Sequence, residues 1–283
     1  MKIGITGAAG QLGRLAITAL RNQVPAADIV ALVRRPETAT DLGVEVRRAD
    51  YADPASLAQA FQGIDVLALI SSSDFNDRVG QHRNVIEAAR SARVGRLIYT
   101  SVLKADTTPL LVAGDHKATE ALILSSGLDY TILRNSWYTE NWTASLPMAV
   151  AAGAVIGSAR NGRVSPATRQ DLAGALAVVT ASPGHSGQIY ELAGDLPFTL
   201  SDLAGAVSAE TGKHIAYNDL PADVYRGILD GFGLPPGLPE VIVDADVCAA
   251  AGWLLDESRT LSRLIGRPTT ALAEAVRVAL AGH

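Results

Sequence analysis

Three glycines near the amino terminus follow a short apolar run at a spacing that suits phosphate binding. Gly7, Gly10 and Gly13 have GxxGxxG spacing, and an amphipathic helical pattern follows them. Glycines at these places permit a tight turn, close approach of the backbone to a pyrophosphate, and close packing of helix against strand. The helix N-terminus then offers N–H groups and the positive end of its dipole. The pattern predicts a dinucleotide cradle, with a plain strand-to-helix turn as the alternative.

Arg34 stands where a dinucleotide-binding fold reads the ribose of the adenosine. It lies 27 residues after Gly7, at the end of the second apolar run, where an NAD enzyme would have Asp or Glu. A guanidinium there suits a 2′-phosphate, so we expect NADP(H) rather than NAD(H), with Arg35 as an assisting residue. The alternatives are two solvated surface arginines and an acidic reader at Glu37.

Two further polar positions each have a binding and a structural interpretation. Asp50 ends the third apolar run and would either accept from the adenine amino group or cap a helix before Pro54. Ser71, Ser72 and Ser73 close the fourth run, where small hydroxyl residues let the backbone pass close to a ribose or nicotinamide. An ST-turn into the next helix explains the serines equally well.

Several catalytic motifs are absent from the sequence. None of the four lysines follows a tyrosine by four residues, so the Tyr-x-x-x-Lys pair of short-chain reductases is missing. The chain also has no Walker lysine motif, no zinc-type His/Cys cluster and no Gly-x-Ser-x-Gly elbow. Hydrolase, kinase and metalloenzyme functions therefore lack support, and no metal site is expected.

Apolar runs and helical periodicity alternate through the first half of the chain, which predicts the elements that position these residues. Strands are expected at 3–6, 29–33, 44–48, 66–70, 97–100 and 130–133, and the clearest helices at 81–92 and 116–125. Nearly continuous apolar strands with crossover helices predict a doubly wound parallel sheet, an α/β fold of Rossmann type. Ligands bind at the carboxyl ends of such strands, which directs attention to segments 7–12, 34–35, 50–51, 71–74, 101–106 and 135–141.

The pattern loosens after residue 140, which predicts a smaller C-terminal substrate lobe. A strand near 155–156, a helix at 172–180 and a strand at 188–192 follow, and the Gly/Pro-rich run 231–239 separates two late helical regions. We expect a dinucleotide-binding domain over 1–140 and a substrate lobe over 141–283, with some of its elements returning to the main sheet.

Composition limits the class of protein. The 283 residues are 48% apolar and 19% charged, with a net charge of −5. This balance favours a large core and argues against nucleic acid or an anionic membrane as partner. The chain begins without a signal-like segment, contains no apolar run of about 18 residues, and has a single cysteine, Cys248. We expect a cytoplasmic protein and leave its oligomeric state open, a homodimer included.

The chain resembles the NmrA-like, atypical short-chain dehydrogenase/reductases over essentially its whole length. The resemblance is carried by residues 6–13, 31–34, 49–51, 70–73, 81–86, 99–101, 133–141, 167–169, 190–195 and 264–272. It implies NADPH-dependent reduction of quinones. It also implies an NADP(H) site formed by Gly7, Ala8, Ala9, Gly10, Gln11, Leu12, Arg34, Ser71, Ser72, Ser73, Asn135, Ser136, Trp137, Tyr138, Thr139 and Glu140.

The resemblance leaves the substrate side and the catalytic residues open. His116 stands where related reductases have the lysine beside the nicotinamide, and Val112 takes the place of the tyrosine. His116, Trp137 and Tyr138 are the candidates for the substrate pocket, although Trp137, Tyr138 and Trp142 would equally pack one lobe on the other. Arg169 would either clamp a loop near the site or cap the following helix. No catalytic residue is assigned.

The loss of the Tyr–Lys pair is compatible with more than one function. Hydride addition to a quinone gives a delocalised phenolate whose conjugate acid has a pKa of about 10, so water can protonate it. A triphenylmethane-type dye that accepts hydride is an alternative substrate. A redox sensor that binds NADP(H) without turnover is the alternative from another class, since it needs only different affinities for two cofactor states.

Overall fold

The computed structural model describes residues 1–74 and 76–282. Its strands are β1 (Ile3–Thr6), β2 (Ile29–Val33), β3 (Glu45–Arg48), β4 (Val66–Leu69), β5 (Arg96–Val102), β6 (Asp129–Asn135), β7 (Ala154–Gly157), β8 (Gln188–Leu192) and β9 (Ala216–Asp219). Its helices are α1 (Gln11–Arg21), α2 (Pro54–Ala60), α3 (Arg78–Ser91), α4 (Ala113–Ser125), α5 (Glu140–Thr143), α6 (Leu146–Ala152), α7 (Arg169–Ala181), α8 (Leu200–Thr211), α9 (Ala222–Asp230), α10 (Leu238–Ala250), α11 (Thr260–Ile265) and α12 (Leu272–Ala281).

The main sheet is parallel and has helices on both faces, which confirms the predicted fold class. In the described part of the chain it has seven strands in the order β3-β2-β1-β4-β5-β6-β8. The order reverses between β1 and β4, and the crevice at this switch point is where such sheets bind ligands. The strand predicted at 188–192 is β8, the edge strand beside β6.

Alternate side chains of the strands enter two separate cores. On β4, Val66 and Ala68 pack with α1 and α7, whereas Leu67 and Leu69 pack with α2, α3 and α4. A strand buried on both faces has few polar positions, which explains why these strands read as continuous apolar runs. The helices predicted at 81–92, 116–125 and 172–180 are present as α3, α4 and α7, each beginning three residues earlier than predicted.

A third core joins most of the elements that follow residue 140. Helices α6, α8, α10 and α12 pack around the two-stranded parallel sheet of β7 and β9. The Gly/Pro-rich run 231–239 separates α9 from α10, as predicted. The division of the chain at residue 140 stays a prediction. Among the described residues, no helix combines the length and apolarity needed to cross a bilayer.

Candidate functional site

The glycine turn joins β1 to α1 in a geometry that depends on its glycines. Gly7 has a φ of +60°, and the Gly10 N–H donates to the Gly7 carbonyl over 2.9 Å. A Cβ on Gly13 would lie 2.4 Å from the Gly7 oxygen and 2.7 Å from the Ala8 Cα. Because no side chain fits there, Gly13 brings the helix against the turn, as the spacing predicts.

The first turn of α1 is arranged to receive an anion. Gly10 is the N-cap and supplies no side-chain hydrogen bond, and the helical ladder begins where Arg14 N–H donates to the Gly10 carbonyl. The N–H groups of residues 11–13 therefore have no acceptor within the helix, which is the arrangement that phosphate-binding helix ends use. Gln11 is exposed and Leu12 is buried in the core against the sheet.

Arg34 directly follows β2, at the same edge of the sheet as the glycine turn. Its side chain is exposed, and within residues 1–74 and 76–282 it has no hydrogen-bond or ion-pair partner. The neighbouring Arg14, by contrast, is bound to Asp41 over 2.7 Å and to the Thr38 carbonyl. Arg34 is thus an available cation beside the cradle. Arg35 and Glu37 are exposed as well.

Asp50 does not cap α2, so that interpretation is wrong. The N-cap is Asp53, whose carboxylate accepts from the backbone N–H groups of Ala55 and Ser56 over 3.1 and 3.2 Å. Asp50 instead accepts from the Ala52 N–H over 3.1 Å. Pro54 sets the helix start at position N1, which moves the cap to the residue immediately before it. An adenine contact by Asp50 stays a prediction.

Residues 70–72, which we term the switch-point segment, continue the chain beyond β4 at the crevice. Their three successive N–H groups donate to side chains: Ile70 to Thr6 Oγ1 (3.0 Å), Ser71 to Thr100 Oγ1 (2.9 Å) and Ser72 to His82 Nε2 (2.9 Å). The acceptors come from β1, β5 and α3, the elements that border β4. The segment is therefore held from three sides without a strand ladder.

The serines after β4 form the ST-turn that was the structural interpretation of their sequence. Ser72 Oγ accepts from the Asp74 N–H over 3.1 Å and donates to Gln81 Oε1 over 2.7 Å. The turn places the partly buried hydroxyls of Ser71 and Ser72 at the carboxyl edge of the sheet. The contact of Ser71, Ser72 and Ser73 with a cofactor stays a prediction.

His82 is a site residue that the sequence interpretation missed. It is fully buried, and its Nε2 must be an acceptor because the Ser72 N–H donates to it. The proton is then on Nδ1, which donates to Thr119 Oγ1 over 2.9 Å, and the Thr119 hydroxyl donates to the Asp115 carbonyl over 2.8 Å. Burial, with the Arg78 cation nearby, lowers the pKa of His82 to about 3, so the ring is neutral.

A signal for His82 was present in the helical period of α3. His82 shares one face with Val85, Ile86 and Ala89, and all four are buried. A histidine on the apolar face of a helix requires partners for both ring nitrogens. Those partners, Ser72 and Thr119, lie 10 and 37 residues away along the chain, so the sequence did not identify them.

His116 lies at the end of the first turn of α4, packed against β5. Its Nδ1 is 2.7 Å from the hydroxyl of Tyr99, which is fully buried. Burial, followed by the charge of the Arg78 guanidinium, lowers the pKa of His116 to about 3. Burial raises the pKa of Tyr99 above its ordinary value, so both groups are neutral. Val112 immediately precedes α4 and offers no proton.

A buried ion pair holds α4 in place beside the sheet. Glu120, one turn after His116, accepts from Arg134 of β6 in a two-pronged contact of 3.0 and 2.8 Å. Arg134 also contacts Glu191 of β8 over 2.9 Å. These contacts tie the helix that carries His116 to the last two strands of the sheet.

Asn135 ends β6 with an acceptor that has no partner in the described chain. Its Oδ1 is fully buried and accepts no hydrogen bond, while its amide lies beside the Tyr138 hydroxyl. An unsatisfied buried oxygen is costly, and it fits a site where a bound group supplies a donor. Together with the Gly13 cradle and the available Arg34, this oxygen is what a bound NADP(H) would require.

The loop after β6 is clamped by Arg169, which confirms one of the two interpretations of that residue. The guanidinium lies 4.3 Å from the centre of the Tyr138 ring and 3.4 Å from Glu140 Oε2, and the Arg169 N–H donates to Glu140 Oε1 over 2.8 Å. The cap of α7 is Thr168, so the capping interpretation of Arg169 is wrong. Ser136 and Thr139 are buried in the same loop.

The aromatic residues after β6 divide between two cores. Trp137 and Trp142 pack against the third core, and the Trp142 ring lies 6.3 Å from that of Phe198. Tyr138 packs against the core of α1 and α7. All three rings therefore take part in core packing, and the partly buried Trp137 keeps some accessible surface.

Comparison with known proteins identifies relatives of similar length and fold. A family model described as NAD(P)H-binding matches residues 7–183. Quinone oxidoreductase 2 of Escherichia coli strain K12 is 49% identical over 97% of this chain and 97% of that protein. A crystal structure of the E. coli NADPH-dependent quinone oxidoreductase complexed with NADPH has a TM-score of 0.95 at 48% identity and covers 98% of this chain and 99% of its own. The triphenylmethane reductase of Citrobacter sp. has a TM-score of 0.95 at 36% identity, with coverage of 99% and 100%.

The neutral state of His82 and His116 predicts that acid destabilises the fold. Their folded pKa values of about 3 lie below the ordinary 6.5. The unfolded chain therefore binds protons first, and stability is lost as pH falls from about 6.5 towards 3, by up to about 1.4 kcal/mol per pH unit for each histidine.

Urea unfolding at pH 7, 6 and 5 measures this effect, and the free energy of unfolding should depend less steeply on pH in His82→Gln than in the unmodified protein. The control His214→Gln, at an exposed histidine, should keep the slope of the unmodified protein; an unchanged slope in His82→Gln would contradict the assignment.

Proposed function

The chain belongs to the NAD(P)H-binding family that includes quinone oxidoreductase 2, and on that premise we propose that it reduces quinones by hydride transfer from NADPH. The observation that carries the proposal is a pair of polar groups at the carboxyl edge of the sheet. Arg34 follows β2 and Asn135 ends β6, on opposite sides of the glycine turn. In the described chain the Arg34 guanidinium has no ion-pair partner, and Asn135 Oδ1 accepts no hydrogen bond. A dinucleotide that carries a 2′-phosphate at one end and a carboxamide at the other has complementary groups for both.

Each part of the edge has a role in the proposal. Gly7, Ala8, Ala9, Gly10, Gln11 and Leu12 form the pyrophosphate turn, and Arg34 pairs with the 2′-phosphate. Ser71, Ser72 and Ser73 border the ribose on the nicotinamide side. Asn135, Ser136, Trp137, Tyr138, Thr139 and Glu140 border the nicotinamide, where Asn135 Oδ1 accepts a hydrogen bond. Residues 1–140 act as the dinucleotide-binding domain and 141–283 as the substrate lobe.

The chemistry does not need a tyrosine at position 112. Bound NADPH supplies a hydride, which together with a proton from water converts a quinone to a hydroquinone and leaves NADP⁺. The anion that forms on the quinone is a phenolate with a conjugate acid of pKa about 10, so water protonates it without a protein acid. What the chain must do is bind the planar ring over the nicotinamide and hold it there.

Trp137 and His116 are the side chains proposed to face the planar substrate. Tyr138 is a weaker stacking platform, because Arg169 covers one face of its ring. The likeness to triphenylmethane reductase supports a cationic dye as a second acceptor, since such a dye also accepts hydride without an acid. The cytoplasmic location and the homodimer stay predictions.

The proposal is tested by following absorbance at 340 nm with purified protein, NADPH and 1,4-benzoquinone, with NADH in parallel. The rate without enzyme must be subtracted because quinones oxidise NADPH unaided. We expect saturable turnover that prefers NADPH. Tight NADPH binding in calorimetry without turnover of quinone or dye would contradict the proposal and favour a redox sensor.

An Arg34→Glu substitution should weaken NADPH binding and do little harm to NADH binding. Losing one charge-assisted contact of about 2 kcal/mol weakens NADPH binding by about 30-fold, whereas NADH, which lacks the 2′-phosphate, should bind nearly as before. Calorimetry measures both affinities. The matched control is Arg93→Glu, the same charge change at an exposed arginine just before the amino end of β5, and it should leave both affinities unchanged. Equal NADPH affinities in Arg34→Glu and the unmodified protein would refute the role of Arg34.

A further inference from the structure

His116 differs from the fully buried His82 and the partly buried His185. His82 has partners for both ring nitrogens, and so does His185, which contacts Ser182 Oγ over 3.1 Å and the Tyr190 hydroxyl over 2.8 Å. His116 is only 8% exposed, yet Tyr99 on Nδ1 is its single hydrogen-bond partner among the described residues. A purely structural histidine at this depth would pair both nitrogens. Its Nε2 is therefore left for a group outside the chain.

The proton positions around His116 follow from the backbone. The Ser72 N–H donates to His82 Nε2, so the His82 proton is on Nδ1. The Nδ1–H donates a hydrogen bond to the Thr119 oxygen, and the Thr119 hydroxyl donates to the Asp115 carbonyl. Tyr99 is fully buried, and its hydroxyl proton needs an acceptor.

The acceptor that fits the Tyr99 proton is His116 Nδ1, at 2.7 Å. The Ser71 and Thr119 hydroxyls also lie beside the Tyr99 oxygen, but an imidazole nitrogen is a stronger acceptor than a hydroxyl oxygen. Tyr99 therefore donates to Nδ1, and the proton of the neutral His116 ring is on Nε2.

We propose that His116 donates its Nε2–H to a carbonyl oxygen of the quinone and stabilises the negative charge that develops there. The inference rests on the proposed function and adds a catalytic residue and a tautomer to it. Nδ1 and Nε2 direct their hydrogen bonds in widely different directions, so with Tyr99 on Nδ1 the Nε2–H points away from the Tyr99 hydroxyl. The residue stands in the first turn of α4, which follows the loop at the carboxyl end of β5.

The groups around the ring keep it a neutral donor. Facing it are Arg78 and His82 from α3 and Tyr99 from β5, and Asp115 and Glu120 lie on α4 itself. The Arg78 cation and the burial of the ring oppose an imidazolium. A neutral donor stabilises charge in place and does not transfer its proton. The C4–H bond of NADPH breaks and its hydrogen passes to the quinone with both bonding electrons, as a hydride, and the resulting anion takes its proton from water.

The tautomer can be tested without turnover. Long-range ¹H–¹⁵N correlation spectra of the full chain labelled with ¹⁵N-histidine should show opposite tautomers, Nε2–H for His116 and Nδ1–H for His82. His116→Gln and His82→Gln identify the two sets of signals, and Tyr99→Phe should convert His116 to a mixture. An Nδ1–H tautomer or an imidazolium at His116 at pH 7 would overturn the proposal.

Kinetics test the contact itself. At saturating NADPH, His116→Leu should lower kcat/KM for 1,4-benzoquinone about 10-fold, the effect of losing one hydrogen bond to developing charge. His116→Gln, which keeps an N–H near the position of Nε2, should stay within about 3-fold of the unmodified protein. The NADPH dissociation constant should be unchanged in both.

The outcomes separate the two proposals. Equal kcat/KM in His116→Leu and the unmodified protein, or equal losses in the Leu and Gln variants, would refute the donor role and leave the quinone reductase function standing. Absence of turnover in the unmodified protein would contradict both.

Discussion

The site depends on how the chain satisfies three backbone N–H groups just beyond β4. At the switch point the switch-point segment makes no backbone hydrogen bonds to a neighbouring strand. Backbone N–H groups that are shielded from water and have no acceptor would destabilise the fold. Side chains of Thr6, Thr100 and His82 accept all three hydrogen bonds. These bonds determine the path of the backbone at the crevice where we propose that the cofactor lies. The bond to His82 also determines where the protons of His82 and Thr119 reside.

The central strands of the sheet were predictable because they are buried on both faces. Val66 to Leu69 alternate between two cores, and both cores demand apolar residues. The predictions ended too early where strands carry polar residues that are satisfied at a distance. β6 continues through Arg134 and Asn135, and Arg134 is compensated there by Glu120 from α4. The hydrophobic pattern of a segment does not identify an ion-pair partner that lies in another element.

The candidate site was predictable as a set of loops but not as a set of contacts. The rule that ligands bind at carboxyl ends of parallel strands leads from the apolar runs to the glycine turn, Arg34, the serines and the loop after β6. The hydrogen bonds that determine the tautomers of His82 and His116 involve α3, α4 and β5, so only the tertiary structure reveals them. Asp50 and Asp53 illustrate the same limit, since both precede Pro54 and only the backbone geometry selects the cap.

The most direct test of the account is a single turnover of the NADPH-loaded protein with 1,4-benzoquinone, using NADPH with deuterium at the transferred C4 position. Hydride transfer without a protein acid predicts that NADPH oxidation is slower with deuterium and that its rate is unchanged between about pH 6 and pH 8. Oxidation no faster than the enzyme-free control would contradict the assigned reaction. A rate that falls with the loss of one proton would show that a protein acid takes part after all.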